Sequence, residues 1–191
     1  KMFISGAGAT DILVTMVRTG EAGPKGITCL AIAADSAGIE YGNNLNKMGW
    51  NSQPTREIVF NQVRVPVDRR IGGAGDGFKI AMKGLDGGRI NIATCSVGTA
   101  QAALNRSKTY LQEREQFGEA LANFQALQFK LADMATELVA ARQMIRLAAF
   151  KVDQGDPEAT AYAAMAKRFA TDAGFSICND ALQLHGGYGY M

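Results

Sequence analysis

Few residues in this chain have the means to do chemistry. Histidine occurs once, at 185, and cysteine three times, at 29, 95 and 178, never as a C-x-x-C pair. One histidine without neighbouring cysteine pairs cannot assemble a typical zinc site, and no signature supports a Ser-His-Asp triad. No metal site is expected, and the cysteines are expected to be three buried thiols. A phosphorylated ligand suits the chain better. Arg114 offers a planar fork of donors matched to phosphate oxygens. Taken by itself it reads first as a surface arginine at a helix end, paired with Glu113 or Glu115. Gly186 and Gly187 let backbone approach a ligand closely, and Gln183 adds a two-sided amide. An ordinary glycine C-cap is the alternative, and both readings hold together, since a cap turn also presents N–H groups. The glycine-rich stretch 72–77 resembles a phosphate loop only superficially. Its glycines miss the G-x-G-x-x-G spacing and Asp76 would repel a phosphate, so a flexible turn between two parts is expected.

The elements that must position these residues change character near residue 72. Before it, short β-type runs at 12–17, 27–32, 39–41, 57–60 and 63–65 are separated by glycine- and proline-containing turns at 20–26, 35–38 and 42–44. Such spacing predicts antiparallel strands of a barrel or sandwich, with Pro66 closing the last. After it the pattern is helical. A first helix is expected over about 78–113, with a bend where Gly87 and Gly88 weaken its interior. A second is expected over about 124–154, where Leu127, Leu131, Met134, Leu138, Ala141, Ile145, Ala148 and Val152 alternate steps of four and three, the seam of a left-handed bundle. Gly155 stops it, and Asp156-Pro157 reads as an N-cap with proline at the first position of a third helix ending near Leu184.

The fold class is therefore α+β: a middle β part, residues 1–72, followed by a helical bundle, residues 73–191, with three of an expected four helices. The opening strand has no visible partner and Lys1 falls inside what reads as structured protein, so a fragment is expected; no signal or transit peptide is visible. The 191 residues are 47% hydrophobic and 20% charged, ordinary for a soluble globular chain. The net charge of +2 and the absence of a basic cluster argue against nucleic acid. No apolar run reaches the length of a membrane span.

Three stretches in order resemble the acyl-CoA dehydrogenase family over essentially the whole chain. Lys1-Met2-Phe3-Ile4-Ser5-Gly6 is similar to its K-x-W-I-T-N strand, Arg114-Glu115-Gln116-Phe117-Gly118 to its R-x-x-F-G motif, and Gln183-Leu184-His185-Gly186-Gly187-Tyr188-Gly189 to its Q-x-x-G-G-x-G turn. Residues 49–56 and 84–91 resemble the branch that acts on short branched acyl-CoAs such as isobutyryl-CoA.

The resemblance implies FAD as cofactor. Phe3, Ile4 and Ser5 would lie beside the flavin ring, with Ser5 donating to it and Phe3 replacing the usual tryptophan. Arg114, helped by Gln116 and Phe117, would reach the pyrophosphate of a flavin bound mainly by a neighbouring subunit. Gln125, at the entry to the second helix, and Gln183, Leu184, His185, Gly186 and Gly187 complete the cofactor set; His185 reads as a structural or ribose-side contact. Phe124 stands where relatives often carry Asn or His. Asp86, Gly87, Gly88 and Arg89 match contacts to acyl-CoA. Some branches place their catalytic glutamate at the position of Gly88, and glycine cannot be a base. No catalytic residue is therefore expected in this chain, and the glutamate should lie in an E-G-T or E-G-S motif beyond Met191. The implied reaction is α,β-dehydrogenation of a short branched acyl-CoA in valine breakdown, with electron-transfer flavoprotein as partner and a homotetramer as assembly. The implied location is the cytoplasm in bacteria or the mitochondrial matrix in eukaryotes. A flavin monooxygenase, a nitroalkane oxidase, or a helical scaffold without cofactor remain the alternatives.

Overall fold

The computed structural model describes residues 1–191, which divide into two compact units, Lys1–Met82 and Lys83–Met191. The first unit is built from antiparallel pairs. Strands β1 (Ile4–Ser5), β2 (Ile12–Arg18), β3 (Ile27–Ala33), β4 (Ile39–Tyr41), β5 (Thr55–Arg56), β6 (Ile58–Phe60) and β7 (Arg70–Ile71) form three small sheets, ordered β1-β5, β2-β3-β7 and β4-β6. The longest ladder runs from Ile12 opposite Ala33 to Arg18 opposite Ile27. Ala7, Leu13, Ile32 and Ile58 are buried at its core.

Two expectations for this unit need correction. The opening strand does have a partner: Ile4 pairs with Arg56 and Ser5 with Thr55. A contact over about fifty residues leaves no local trace in sequence. Residues 63–65, expected as a strand, form none. Val63 and Val65 still pack on the core, but the ladder ends at Phe60, Gln62 takes a positive φ of 51°, and Pro66 has no N–H to extend it.

The glycine-rich stretch 72–77 is a packed turn rather than a merely flexible one. A Cβ on Gly77 would stand 2.6 Å from the Thr28 carbonyl carbon, and one on Gly75 would stand 2.5 Å from the Lys25 carbonyl oxygen. Asp76 accepts the Gly73 N–H at 2.8 Å, and the Gly75 N–H reaches Thr28 Oγ1 at 3.2 Å. The carboxylate serves the turn itself.

Helix α1 (Gly77–Glu113) runs unbroken through Gly87 and Gly88. A two-stranded hairpin, β8 (Glu115–Gln116) and β9 (Glu119–Ala120), leads to α2 (Gln125–Asp153); α3 (Ala159–Leu184) and the one-turn α4 (Gly187–Tyr190) complete the second unit. Met134, Leu138, Ala141, Ile145 and Ala148 form the buried stripe of α2, at the alternating steps read from sequence. That seam is covered within the chain, by residues of α1 such as Ala93, Val97 and Ala100 and of α3 such as Ala166, Ala170 and Ile177. Only its ends, Leu127 and Leu131 half-buried and Val152 exposed, thin out. Small residues dominate the buried face of α3 and allow close approach: a Cβ on Gly174 would meet Ser96 at 3.2 Å.

Helix α3 begins two residues later than Asp156-Pro157 suggests. Asp156 Oδ1 accepts the Glu158 N–H at 2.8 Å and Oδ2 holds Lys151 Nζ at 2.7 Å, so the carboxylate ties the α2–α3 turn together. That hydrogen bond holds the Asp156 carboxyl below its ordinary range and pushes the Lys151 ammonium up. The three thiols are not all buried. Cys29 is, Cys178 is half-buried, and Cys95 is exposed because it lies off the inward stripe of Ala93, Val97 and Ala100. No helix is long and apolar enough to cross a membrane.

Candidate cofactor site at the end of the third helix

The second unit brings most of the predicted cofactor residues to one place. Arg114, Gln116, Gln183, Leu184, His185, Gly186 and Gly187 line a single open cavity of about 670 Å³. Arg114 leaves the end of α1 with its N–H still bonded to the Tyr110 carbonyl at 2.8 Å, and its own carbonyl accepts the Leu121 N–H at 2.8 Å. Backbone pairing on both sides thus fixes where the guanidinium starts. Its Cζ lies 6.0 Å from the Tyr188 ring centroid, within cation–π range. No acidic side chain stands on the cavity lining, so a bound anion would meet the Arg114 charge uncompensated.

The opposite wall is the turn after α3. Gly186 takes φ 56°, ψ −131°, a conformation that favours glycine. A Cβ on Gly187 would meet nothing within 4 Å, leaving backbone open to a ligand. Gly189 is needed for packing instead, since a Cβ there would collide with the Leu182 carbonyl oxygen. Gly186 and Gly187 both line the cavity with open space at the Cβ position, and Gly186 also carries the positive φ of the helix stop.

Phe117 and Gln125 are not among the lining residues. Phe117 and Gly118 form the two-residue loop of the β8–β9 hairpin, both at positive φ (58° and 89°), the signature of a primed hairpin turn. Phe117 is 92% exposed and meets Phe124 edge-on at 6.1 Å. A phenylalanine at such a dihedral is a strained choice, and it holds an exposed aromatic beside the cavity's hairpin. Gln125 is the exposed first residue of α2.

Tyr110 was not singled out by sequence. It lines the cavity and stacks on His185, with centroids 4.5 Å apart and planes 24° apart. His185 Nδ1 lies 2.8 Å from the Ala181 carbonyl oxygen. No periodic or motif signal marks Tyr110; its partner is 75 residues away. Cys178, with Arg106 and His185, lines a neighbouring cavity, and burial pushes its thiol up, away from reactive thiolate.

Elsewhere on the second unit, Asp86 Oδ1 accepts Arg89 Nη1 at 2.6 Å and Oδ2 accepts Thr160 Oγ1 at 2.8 Å. Both carboxylate oxygens are engaged. In the first unit Phe3 is 69% exposed at φ 58°, Ser5 is exposed, and Ile4 is half-buried against the core.

Comparison with known proteins agrees along the whole length. Residues 75–191 match the family described as acyl-CoA dehydrogenase, C-terminal domain, and residues 1–63 match acyl-CoA dehydrogenase, middle domain. Mitochondrial isobutyryl-CoA dehydrogenase of Bos taurus is 54% identical over all of this chain and 46% of its own length. The Dictyostelium discoideum protein of the same name is 53% identical, again over all of this chain and 46% of its own. The three-dimensional structure of butyryl-CoA dehydrogenase from Megasphaera elsdenii superposes with a TM-score of 0.94 at 43% identity, covering 100% of this chain and 50% of that one. The chain spans about half the length of the relatives it matches. It belongs to the acyl-CoA dehydrogenase family.

Proposed function

We propose that the protein carrying this chain is an FAD-dependent oxidoreductase that removes the α- and β-hydrogens of a short branched acyl-CoA of the isobutyryl type. The observation that carries the cofactor assignment is the cavity at the end of α3. Its donor set fits the pyrophosphate of FAD: the Arg114 guanidinium, the Gln116 and Gln183 amides and the open backbone at Gly187, with no acidic side chain among them. Leu121, Leu127 and Tyr190 supply apolar surface for the rest of the nucleotide. Phe117 and Gln125, at the adjoining hairpin and helix entry, complete the contacts that the family motifs imply. When bound, FAD supplies the hydride acceptor for the β-hydrogen.

The remaining roles belong to side chains. In the first unit Phe3 offers an exposed aromatic face, Ile4 anchors the strand in the core, and Ser5 has a free hydroxyl to donate to the flavin ring. Asp86, Gly87, Gly88 and Arg89 bind acyl-CoA. Asp86 is unsuited to be the α-proton base, because Arg89 and Thr160 already hold its two oxygens within the chain. Gly88 has no side chain. The family resemblance implies that the base is a glutamate supplied from outside these residues, acting on a proton made acidic by donors to the thioester oxygen. Electron-transfer flavoprotein as oxidant, a homotetramer, and a mitochondrial matrix location in a eukaryote follow from family membership and the isobutyryl-type relatives. The 53–54% identity to those relatives supports the branched short-chain preference.

Arg114→Ala in the whole protein tests the cofactor site. A charge-assisted phosphate contact contributes about 1.5–3 kcal/mol, so the variant should lose flavin on gel filtration under conditions where the parent stays yellow. Equal flavin retention would remove Arg114 from the site.

A further inference from the structure

We propose that Thr160 is a positioning residue for acyl-CoA: its hydroxyl fixes Asp86, and through Asp86 it aims the Arg89 guanidinium at the substrate. The inference rests on the reading of residues 86–89 as the acyl-CoA site and adds to it a residue on a different helix. Six threonines lie in the three long helices. Thr94, Thr99, Thr109, Thr136 and Thr171 each donate to the carbonyl four residues back in their own helix. Thr160 alone reaches another helix, donating to Asp86 Oδ2 on α1 at 2.8 Å across 74 residues of sequence. Its place as the second residue of α3 permits this. The carbonyl four residues back belongs to Asp156, in the turn, and already accepts the Ala159 N–H at 3.0 Å. Asp86 Oδ1 in turn accepts Arg89 Nη1 at 2.6 Å, so one hydroxyl on α3 and one guanidinium on α1 share a single carboxylate.

Alone, a carboxylate–guanidinium pair three residues apart on a helix surface is loosely held, because both side chains rotate. A hydroxyl from a second helix pins the far oxygen of Asp86 and leaves the carboxylate one orientation. Arg89 then has Nη1 committed, and its Nε and Nη2 donors are left for oxygen atoms of the bound acyl-CoA. Asp86, with both oxygens held within the chain, acts through Arg89 rather than on the ligand. Their side chains are 19% and 34% exposed, so the carboxylate is the better sheltered of the two and the guanidinium stays the more open.

The test is steady-state kinetics of the flavin-loaded whole protein with isobutyryl-CoA, with thermal denaturation of the same preparations. Thr160→Val keeps the branched shape without the hydroxyl. It should raise KM by roughly two- to tenfold, the loss of one hydrogen bond, with kcat little changed. Thr160→Ser keeps the hydroxyl and should return KM to near the parent value. In an Asp86→Ala background, which has already lost the acceptor, Thr160→Val should add nothing further to KM, because the two residues act as one unit. A merely structural hydroxyl would lower the melting temperature of Thr160→Val and leave KM unchanged. That result, or the same rise in KM with and without Asp86, would overturn the proposal. Arg89→Gln separates this outcome from failure of the site itself. If Arg89→Gln raises KM and Thr160→Val does not, acyl-CoA still binds at residues 86–89 and only the role of Thr160 falls. If Arg89→Gln leaves KM unchanged, or the parent does not turn over isobutyryl-CoA, both fall.

Discussion

Helix α1 carries four glycines in its interior, Gly84, Gly87, Gly88 and Gly98, and a Cβ at any of them would meet nothing within 4 Å. Glycine in a helix interior costs about 0.5–1 kcal/mol relative to alanine, so within this chain alanine should be tolerated or preferred at each. Gly98→Ala should therefore raise the melting temperature by about 1–4 °C, from the usual scaling for a chain of this size. Gly88→Ala should bring a similar gain in stability, but here the bare backbone is proposed to meet acyl-CoA. A methyl group forced into a close contact costs about 1–3 kcal/mol, so kcat/KM for isobutyryl-CoA should fall by about five- to 150-fold, mostly through KM. Gly174→Ala is the opposite case. Its new Cβ would stand 3.2 Å from both Cβ and the carbonyl oxygen of Ser96, so overpacking at the α1–α3 crossing should outweigh the helix-propensity gain and lower stability. Thermal denaturation followed by circular dichroism, with steady-state kinetics on the same preparations, separates the three. If Gly88→Ala is stabilised and its KM unchanged, no substrate approaches that backbone. If Gly98→Ala is destabilised, the open space around α1 is filled in the assembled protein and the reasoning fails.

Asp86→Asn keeps the shape but weakens the hold on Arg89 and Thr160, and should chiefly raise KM for acyl-CoA; a collapse of kcat by several orders of magnitude at constant KM would make Asp86 the base. Asp156→Asn should lower the melting temperature at neutral pH by loosening the α2–α3 turn. The Asp156 carboxyl is held below its ordinary value by Lys151 first and by the Glu158 N–H second. A depressed acid stabilises the fold above its unfolded pKa and loses that contribution as pH falls through the folded value. The gap between parent and variant should hence be constant near neutrality and close only below about pH 4. A gap that persists in strong acid would assign the effect to packing.

The helices were legible because their signal is local. The steps of four and three from Leu127 to Val152 name the buried stripe of α2 directly, since burial is what selects that period. What sequence missed depended on distant partners. Ile4–Ser5 pairs with Thr55–Arg56, and nothing near either segment announces the other. Residues 63–65 looked like a strand because two valines alternate with a polar residue; that pattern records packing on a core, not ladder pairing. Asp156 was read as the cap of α3 because Asp-Pro usually is one, while the structure uses its two oxygens for Glu158 and Lys151. Of the candidate site, Arg114 and residues 183–187 came from motif resemblance and converge on one cavity, whereas Tyr110 carries no local mark and enters only through its stack on His185.

Anaerobic titration of the flavin-loaded whole protein with isobutyryl-CoA tests the central claim most directly. The account predicts that the visible flavin absorbance is bleached as substrate is added, that isobutyryl-CoA does so faster than straight-chain or longer branched thioesters, and that electron-transfer flavoprotein restores the colour. A protein that holds no flavin, or whose flavin stays oxidised in the presence of saturating isobutyryl-CoA and other short acyl-CoAs, would contradict it.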